Sequence, residues 1–228
     1  MDRNSNLVVF DLDGTLIRKD SFLAFLIYAF LRSPLRWWRS PLLFLGVLRH
    51  KSGFKSNSWL KSYFLKHVIG GFSPSERDRL VEKFLDSFLP QKLRPFSAPC
   101  LEKHRHQKDV LLLLSASPDF LVRPLARRLG LDWCECTECE KDAKGRITGK
   151  LIGGNCYGDN KVTRLKELQK QNGPFDRLVV YTDHHSDWPL LKKSNRGIAV
   201  NPTSKLRELI QNAPHIVILD GDEPQQGG

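Results

Sequence analysis

Two aspartates that lie two positions apart, Asp11 and Asp13, are the residues of this sequence best suited to catalysis. They follow the apolar run Leu7 to Phe10, which is typical of a buried parallel strand that delivers side chains at its carboxyl end. A magnesium ion between the two carboxylates would hold Asp11 ionised for attack on phosphorus. Asp13 could then give a proton to the leaving oxygen and later take one from the attacking water. The next residue, Gly14, would let the backbone approach a phosphate closely.

An Asp-x-Asp-Gly turn on its own is a weak signal, because such turns also form for local reasons. The signal becomes stronger because other strand-like runs also stop at polar residues. Val110 to Leu114 stops at Ser115, and Arg177 to Tyr181 stops at Thr182-Asp183. Ligands bind at the carboxyl ends of parallel strands in open α/β sheets. We therefore expect these polar residues to lie close together.

Helix-like stretches separate the strand-like runs, at Asp119 to Leu129, Lys161 to Gln171 and Trp188 to Lys193. A further strand-like run, Gly197 to Val200, follows the last of them. This alternation predicts an α/β fold with a doubly wound parallel sheet. The segment Cys134 to Leu151 predicts a β-hairpin.

Residues 21–95 break the alternation and predict a helical cap inserted after the first strand. Its helices are expected at Phe22 to Leu31, Pro41 to Arg49, Ser58 to Val68 and Pro74 to Leu89. Ser73, Pro74 and Glu76 form a good start for the last of these helices. The catalytic core is predicted to comprise residues 1–20 and 96–219, and residues 220–228 are expected to be a disordered tail.

The segment Asp11-Leu12-Asp13-Gly14-Thr15 resembles the first motif of the haloacid dehalogenase superfamily, and the other motifs follow in order over about residues 6–206. The resemblance implies a Rossmann-like core, an aspartyl-phosphate intermediate and Mg²⁺ as the cofactor. It makes Asp11 the nucleophile and Asp13 the general acid and base, with both in the metal site. Gly14 and Thr15 support them.

The resemblance also assigns roles to the later motifs. Ser115 and Ala116 are implied to bind the phosphoryl group, and Lys161 is implied to neutralise charge on the nucleophile and the phosphate. Asp183 is implied to complete the magnesium site with the two aspartates of the first motif. Asp187 is implied to support that site.

The helical insert is similar to the subfamily that contains phosphoserine phosphatases. The segments Ser115-Ala116-Ser117-Pro118 and Asn155-Cys156-Tyr157-Gly158 are most similar to the branch of phosphatidylglycerophosphatase C and CicA-type proteins. The fourth motif departs from the family pattern, because Thr182 replaces the usual glycine and His184 replaces a small residue. Because the ligand Asp183 is kept, we expect this departure to affect the hydrogen bonds around the metal and not metal binding itself.

Each assignment has a plainer alternative. Ser115 could merely cap the next helix, Lys161 could be solvated, and Asp187 could interact with the dipole of the helix that follows it. His184 and His185 could bind a transition metal, although the hard carboxylates suit magnesium.

Three cysteines between residues 134 and 139 could bind zinc. The spacing lacks a clean second pair, and strand alternation places Cys134 and Cys136 on one face and Cys139 on the other. Thiols that pack as small apolar side chains are the alternative.

The net charge of +11 and the pI near 9.6 favour anionic partners. The five cysteines and the absence of a secretory signal at the N-terminus predict free thiols in a reducing cytoplasm.

The cap opens with the apolar run Phe22 to Leu31, continues with a segment rich in arginine and tryptophan, and then carries the apolar run Leu42 to Leu48. Neither run approaches the roughly 20 residues that span a bilayer. We predict that residues 22–48 form a helical hairpin at an anionic membrane surface, peripheral at the inner face. These helices could equally pack on one another as the core of the cap.

A membrane-facing cap predicts a lipid phosphate as substrate, with phosphatidylglycerophosphate as the candidate that the family implies. The alternatives are a soluble phosphatase for a small metabolite such as phosphoserine, and a non-catalytic binder of anionic lipid or nucleic acid. Nucleic acid is disfavoured, because a pure binder has no need of clustered carboxylates that repel phosphates.

Overall fold

The computed structural model describes residues 5–53 and 56–223, without the side chains of residues 35, 36 and 39. The strands of its central sheet are β1 (Leu7–Phe10), β2 (Val110–Pro118), β3 (Trp133–Lys141), β4 (Ile147–Ile152), β5 (Leu178–Thr182), β6 (Arg196–Val200) and β7 (Ile216–Leu219). They lie in the order β4-β3-β2-β1-β5-β6-β7. Among these described strands only β4 pairs antiparallel, with β3. The predicted doubly wound α/β sheet is therefore confirmed.

The helices of the described residues are α1 (Ser21–Leu31), α2 (Ser40–Lys51), α3 (Asn57–Phe64), α4 (Pro74–Lys92), α5 (Ser97–His106), α6 (Asp119–Arg128), α7 (Asp159–Asn172), α8 (Trp188–Leu191) and α9 (Ser204–Ile210). Pro34–Arg39 and His185–Asp187 form 3₁₀ turns, and a π turn at Leu65–Ile69 follows α3. The helix expected over Ser58 to Val68 is thus divided at Phe64. The elements α5, α9 and β7 are absent from the sequence prediction.

Strand β1 is buried on both faces. Val8 and Phe10 belong to one apolar cluster, and Leu7 and Val9 belong to the cluster on the opposite face. Burial of each such side chain contributes about 1.5–3 kcal/mol, which fixes the register of the strand. The chain places β2 and β3 on one side of β1 and β5 to β7 on the other. Asp11 therefore lies where the strand order reverses, which is where ligands bind in this class of fold.

The described residues between β1 and β2 form helices and isolated bridges, as the sequence predicts. Phe25 of α1 packs against Phe84 of α4 and Phe120 of α6, with ring centroids 5.4 and 5.7 Å apart. The predicted capping box of Ser73 and Glu76 begins α4. The inner face of α1 thus packs as a core, while the boundaries of core and cap stay a prediction.

The segment after β7 is held to the core. The backbone N–H of Gly221 donates to Asn201 Oδ1 at 2.6 Å, and Asp222 forms ion pairs with Arg18 and Arg94, both at 2.7 Å. The prediction of disorder is therefore wrong for residues 220–222, because polar contacts replace the missing apolar ones. Residues 224–228 lie outside the described residues.

The predicted hairpin is formed by β3 and β4. Cys136 and Cys139 are buried in the same apolar cluster, and Cys134 packs against it. The expected separation onto two faces is not found, because the pairing of β3 is irregular on both of its edges. All five cysteines are free thiols.

Within residues 5–53 and 56–223, the helices are all too short or too polar to cross a membrane.

Candidate active site

A buried lysine joins two aspartates that come from different strand ends. Lys161, in the first turn of α7, donates to Asp11 Oδ1 at 2.5 Å and to Asp187 Oδ2 at 2.7 Å. The side chain of Lys161 is 3% exposed, and that of Asp187 is 1% exposed. Burial acts to lower the pKa of Lys161, but the two carboxylates outweigh it, so the pKa lies above the ordinary value. Lys161 is therefore not solvated. A neutral side chain in its place would leave two buried carboxylates unpaired.

Asp187 is a partner of this lysine and not only of a helix dipole. Its Oδ2 also accepts a hydrogen bond from Thr182 Oγ1 at 2.8 Å. Thr182 stands where the family usually has glycine, and its hydroxyl holds the carboxylate of Asp187.

Asp11 lies directly after β1 and remains suited to a nucleophile. Burial raises its pKa to about 6, with Lys161 lowering it and Asp187 raising it. At neutral pH the carboxylate is mostly ionised, which the attack on phosphorus requires.

A second carboxylate, that of Asp183, lies on the other side of Thr15. The hydroxyl of Thr15 is 3.4 Å from Asp11 Oδ2 and 3.1 Å from Asp183 Oδ1. Burial and, next, the charge of Asp11 raise the pKa of Asp183 to about 7. Among the described residues no basic side chain forms an ion pair with Asp183. Two neighbouring hard oxygen donors with one unneutralised charge fit a magnesium ion, and Asp11 and Asp183 would hold it.

Gly14 is required where Asp183 approaches the first loop. It has a φ of +90°, and a Cβ at this position would lie 2.2 Å from Asp183 Oδ2. Arg94 also donates to the Gly14 carbonyl, from Nε at 3.0 Å and from Nη2 at 2.9 Å. In this shape of the loop a Cβ would collide with Asp183 and φ is positive, so glycine is the residue that fits.

Asp13 points to a different set of partners. Its Oδ1 accepts from the backbone N–H of Ser21 at 2.7 Å, and its Oδ2 accepts from Ser117 Oγ at 2.6 Å. Burial and, next, the charge of Asp20 raise its pKa to about 7. A carboxyl that is half protonated near neutral pH suits a general acid and base. Because both oxygens are engaged, a role of Asp13 in the metal site stays a prediction.

Ser115 is 1% exposed and lies near the end of β2. Its Oγ accepts from the backbone N–H of Ser117 at 3.1 Å. Helix α6 starts at Asp119 with Pro118 as its N-cap and has no side-chain cap. Ser115 is therefore not the cap of α6, and its position beside the other strand ends agrees with phosphate binding.

Two side chains near the site form contacts that the sequence did not predict. Ser117 holds Asp13, and Lys61 from α3 donates to the carbonyl oxygen of Ala116 at 2.5 Å. Ser117 could have been found from the sequence, since it is two residues from Ser115. Nothing in the sequence distinguishes Lys61 from the other lysines.

The structure gives no separate support to the alternative metal sites. Among the described residues no group of three or more His, Cys, Asp and Glu side chains is arranged as a cluster for a metal, at these sites or at Asp11, Asp13 and Asp183. His184 contacts Ser186, and its ring lies tilted against that of His185, with ring centroids 4.1 Å apart.

Comparison with known proteins gives similar sequences and folds. A model of haloacid dehalogenase-like hydrolases matches residues 8–192. The protein CicA of Caulobacter vibrioides is 33% identical over 192 residues, which are 81% of this chain and 81% of CicA. A histidinol-phosphatase of Neisseria meningitidis is 24% identical over 220 residues, which are 89% of this chain and 93% of that protein.

Two solved structures share the fold. A protein with unknown function from Bordetella pertussis has a TM-score of 0.81 and 27% identity, over 95% of this chain and 99% of that one. A phosphoserine phosphatase, solved as an analogue of its phospho-aspartyl intermediate, has a TM-score of 0.64 and 16% identity, over 96% and 95% of the two chains.

Proposed function

The chain belongs to the haloacid dehalogenase-like hydrolase family, as the sequence predicted, and on that premise we propose that it hydrolyses phosphate monoesters through an aspartyl-phosphate on Asp11. One observation carries this proposal: two carboxylates two residues apart have different surroundings. Asp11 is paired with Lys161 at 2.5 Å, whereas Asp13 is held by Ser21 and Ser117.

These surroundings suit a division of labour. Asp11 attacks phosphorus while the bond to the leaving oxygen breaks, and Asp13 in its acid form gives that oxygen a proton. Ionised Asp13 then takes a proton from the water that hydrolyses the aspartyl-phosphate. Lys161 and Ser115 hold the phosphoryl oxygens. When bound, magnesium would supply further positive charge beside Asp11 and Asp183.

We infer further that the substrate is a lipid phosphate such as phosphatidylglycerophosphate. The support is a set of seven exposed apolar side chains of the cap, which we call its apolar surface: Leu23, Ile27, Leu31, Trp37, Phe44, Leu45 and Leu48. On α1 these residues recur every fourth position, opposite the buried Phe25 and Ala29. Exposed apolar patches of this kind mark interaction sites.

Basic residues border this apolar surface. Arg32, Arg49 and Lys51 are exposed beside it. Apolar side chains together with cations suit the interface of an anionic membrane, where each basic residue near the surface contributes about 1 kcal/mol. The occupant that we propose is therefore an anionic lipid surface at the inner face of the membrane.

A soluble substrate is the second candidate. A relative of similar length is named as a histidinol-phosphatase. The phosphoserine phosphatase fold is also shared. A small polar substrate would leave the apolar surface of the cap without a role.

A turnover panel with magnesium tests the proposal and its rival. The panel comprises phosphatidylglycerophosphate, lysophosphatidic acid, phosphoserine, histidinol phosphate and a chromogenic phosphate ester. We expect preference for the lipid substrates, and selective turnover of a soluble metabolite would contradict the lipid assignment. Activity that survives Asp11→Asn would contradict the covalent mechanism.

Binding to the membrane is tested separately by co-sedimentation with anionic vesicles. Ile27 is 53% exposed and Phe44 is 66% exposed, and we expect Ile27→Glu and Phe44→Glu to weaken binding. Leu209→Glu is the matched control, because Leu209 is 37% exposed on α9, which lies outside the predicted cap. If the two cap variants bind vesicles as well as Leu209→Glu does, the cap has no interfacial role.

A further inference from the structure

One lysine of the cap reaches into the catalytic core. Lys61 of α3 donates to the Ala116 carbonyl at 2.5 Å and to Asn155 Oδ1 at 2.7 Å. Ala116 lies near the end of β2 and Asn155 follows β4, and the buried Thr137 hydroxyl also donates to these two acceptors, at 2.7 and 2.9 Å. The ammonium group is thus held beside the end of β2, where the residues assigned to phosphate binding lie.

The charge of Lys61 is not neutralised by a direct partner. Both acceptors are neutral, and no described carboxylate forms an ion pair with it. An ammonium group has three N–H donors, so one remains after the two observed bonds. Burial lowers the pKa of Lys61, whereas the charges of Asp13 and Asp20 act to raise it. A half-buried cation of this kind is stabilised by an anion that binds next to it.

The neighbours of Lys61 also fix the side of the site that it faces. Lys61 contacts Ala116, whose neighbour Ser117 donates to Asp13 Oδ2 at 2.6 Å, and Asp13 is the group that would protonate the leaving oxygen. Lys161, in contrast, forms ion pairs with Asp11 and Asp187. The two lysines therefore lie on the leaving-group side and on the nucleophile side, respectively.

From this placement we propose that Lys61 is a specificity-determining residue that binds a second anionic group, carried by the leaving group of the substrate. The inference rests on the proposed phosphatase function and deepens it. The substrate class is a phosphate monoester with a phosphodiester or carboxylate close to its ester oxygen. An ester whose leaving group is neutral gains nothing from Lys61, and a cationic leaving group is repelled.

The test compares two soluble esters that differ in this one feature. Glycerol phosphate has a neutral leaving group, and 3-phosphoglycerate has an anionic one. We expect Lys61→Met to lower kcat/KM for 3-phosphoglycerate by about 10- to 100-fold, the value of a charge-assisted hydrogen bond. The kcat/KM for glycerol phosphate should change little, and Lys61→Arg should keep most of the preference. Lys83→Met, an exposed lysine of α4, is the matched control.

A structural role would give a different result. If Lys61 only fixes the end of β2 at Ala116, Lys61→Met lowers kcat/KM for both esters equally, and the proposal is overturned. The same holds if neither value changes.

Calorimetry with the wild-type protein and Lys61→Met gives a readout without turnover. We expect pyrophosphate, but not inorganic phosphate, to bind at least several-fold more weakly to the variant. Equal pyrophosphate affinity, or no binding to either protein, would overturn the proposal. If pyrophosphate behaves as expected but no ester is hydrolysed, the proposed function fails while the anion site stands.

Discussion

The carboxylate of Asp183 is expected to destabilise the metal-free fold at neutral pH. It is largely buried, lies near Asp11, and has its pKa raised from 3.8 to about 7 by burial and then by that neighbouring charge. The ionised form is therefore favoured in the unfolded chain. Asp183→Asn removes the charge but keeps the size of the side chain and an oxygen that can accept from Thr15.

The size of the effect follows from the pKa shift. A rise from 3.8 to about 7 is about 3 pH units at about 1.4 kcal/mol each, which gives a ceiling of about 4 kcal/mol. Solvent that reaches Asp183 and relaxation of Asp11 reduce this value, so we expect Asp183→Asn to be more stable by about 1–3 kcal/mol at pH 8.

The sign of the pH dependence is also fixed. Because the pKa of Asp183 is higher in the folded than in the unfolded chain, protonation of Asp183 favours the folded state. This stabilisation is fully present below the unfolded-state pKa and is lost as pH rises through about 7. Wild type and variant should therefore converge as pH falls toward about 4.

Urea unfolding in chelator, at pH 8 and at low pH, measures the difference. Asp176→Asn is the control, because Asp176 is an exposed aspartate outside the site. Magnesium should stabilise the wild type and not Asp183→Asn, since a ligand stabilises only the state that binds it. A variant that is less stable than the wild type at pH 8, or a difference independent of pH, would refute the reasoning.

Three further substitutions have defined outcomes. Lys161→Met leaves two buried carboxylates unpaired and should cost about 3–5 kcal/mol in urea unfolding at pH 7; a loss below about 1 kcal/mol would contradict the pairing. Gly14→Ala places a Cβ 2.2 Å from Asp183 Oδ2 and should weaken magnesium activation about tenfold or more, measured by metal titration. Ser117→Ala frees the carboxyl of Asp13 and should lower kcat about 10- to 100-fold with little change in KM, and unchanged kcat would exclude a positioning role.

The parts of the fold that the sequence predicts are those with strong apolar patterns. Strand β1 (Leu7–Phe10) has the predicted bounds, because four consecutive apolar residues are bounded by polar ones. Helix α5 (Ser97–His106) is rich in basic residues and buries few apolar side chains, so no periodicity marks it. Strand β7 (Ile216–Leu219) is a partly exposed edge, and its short run precedes the polar end of the chain.

The candidate site divides in the same way. Asp11, Lys161 and Asp183 stand in segments whose local pattern signals chemistry, and the sheet brings them together. The contact of Lys61 with Asn155 joins residues 94 positions apart. Such a contact depends on how the cap packs on the core, and no local pattern in the sequence contains that information.

The central claim is that Asp11 carries the phosphoryl group during turnover. Enzyme quenched in acid during turnover with magnesium and substrate can be reduced with borohydride, which converts an aspartyl-phosphate to homoserine, and then mapped by mass spectrometry. We expect the conversion at residue 11, dependent on substrate and on magnesium, and absent from Asp13 and Asp183. Conversion at another aspartate, or steady turnover by Asp11→Asn, would contradict the account.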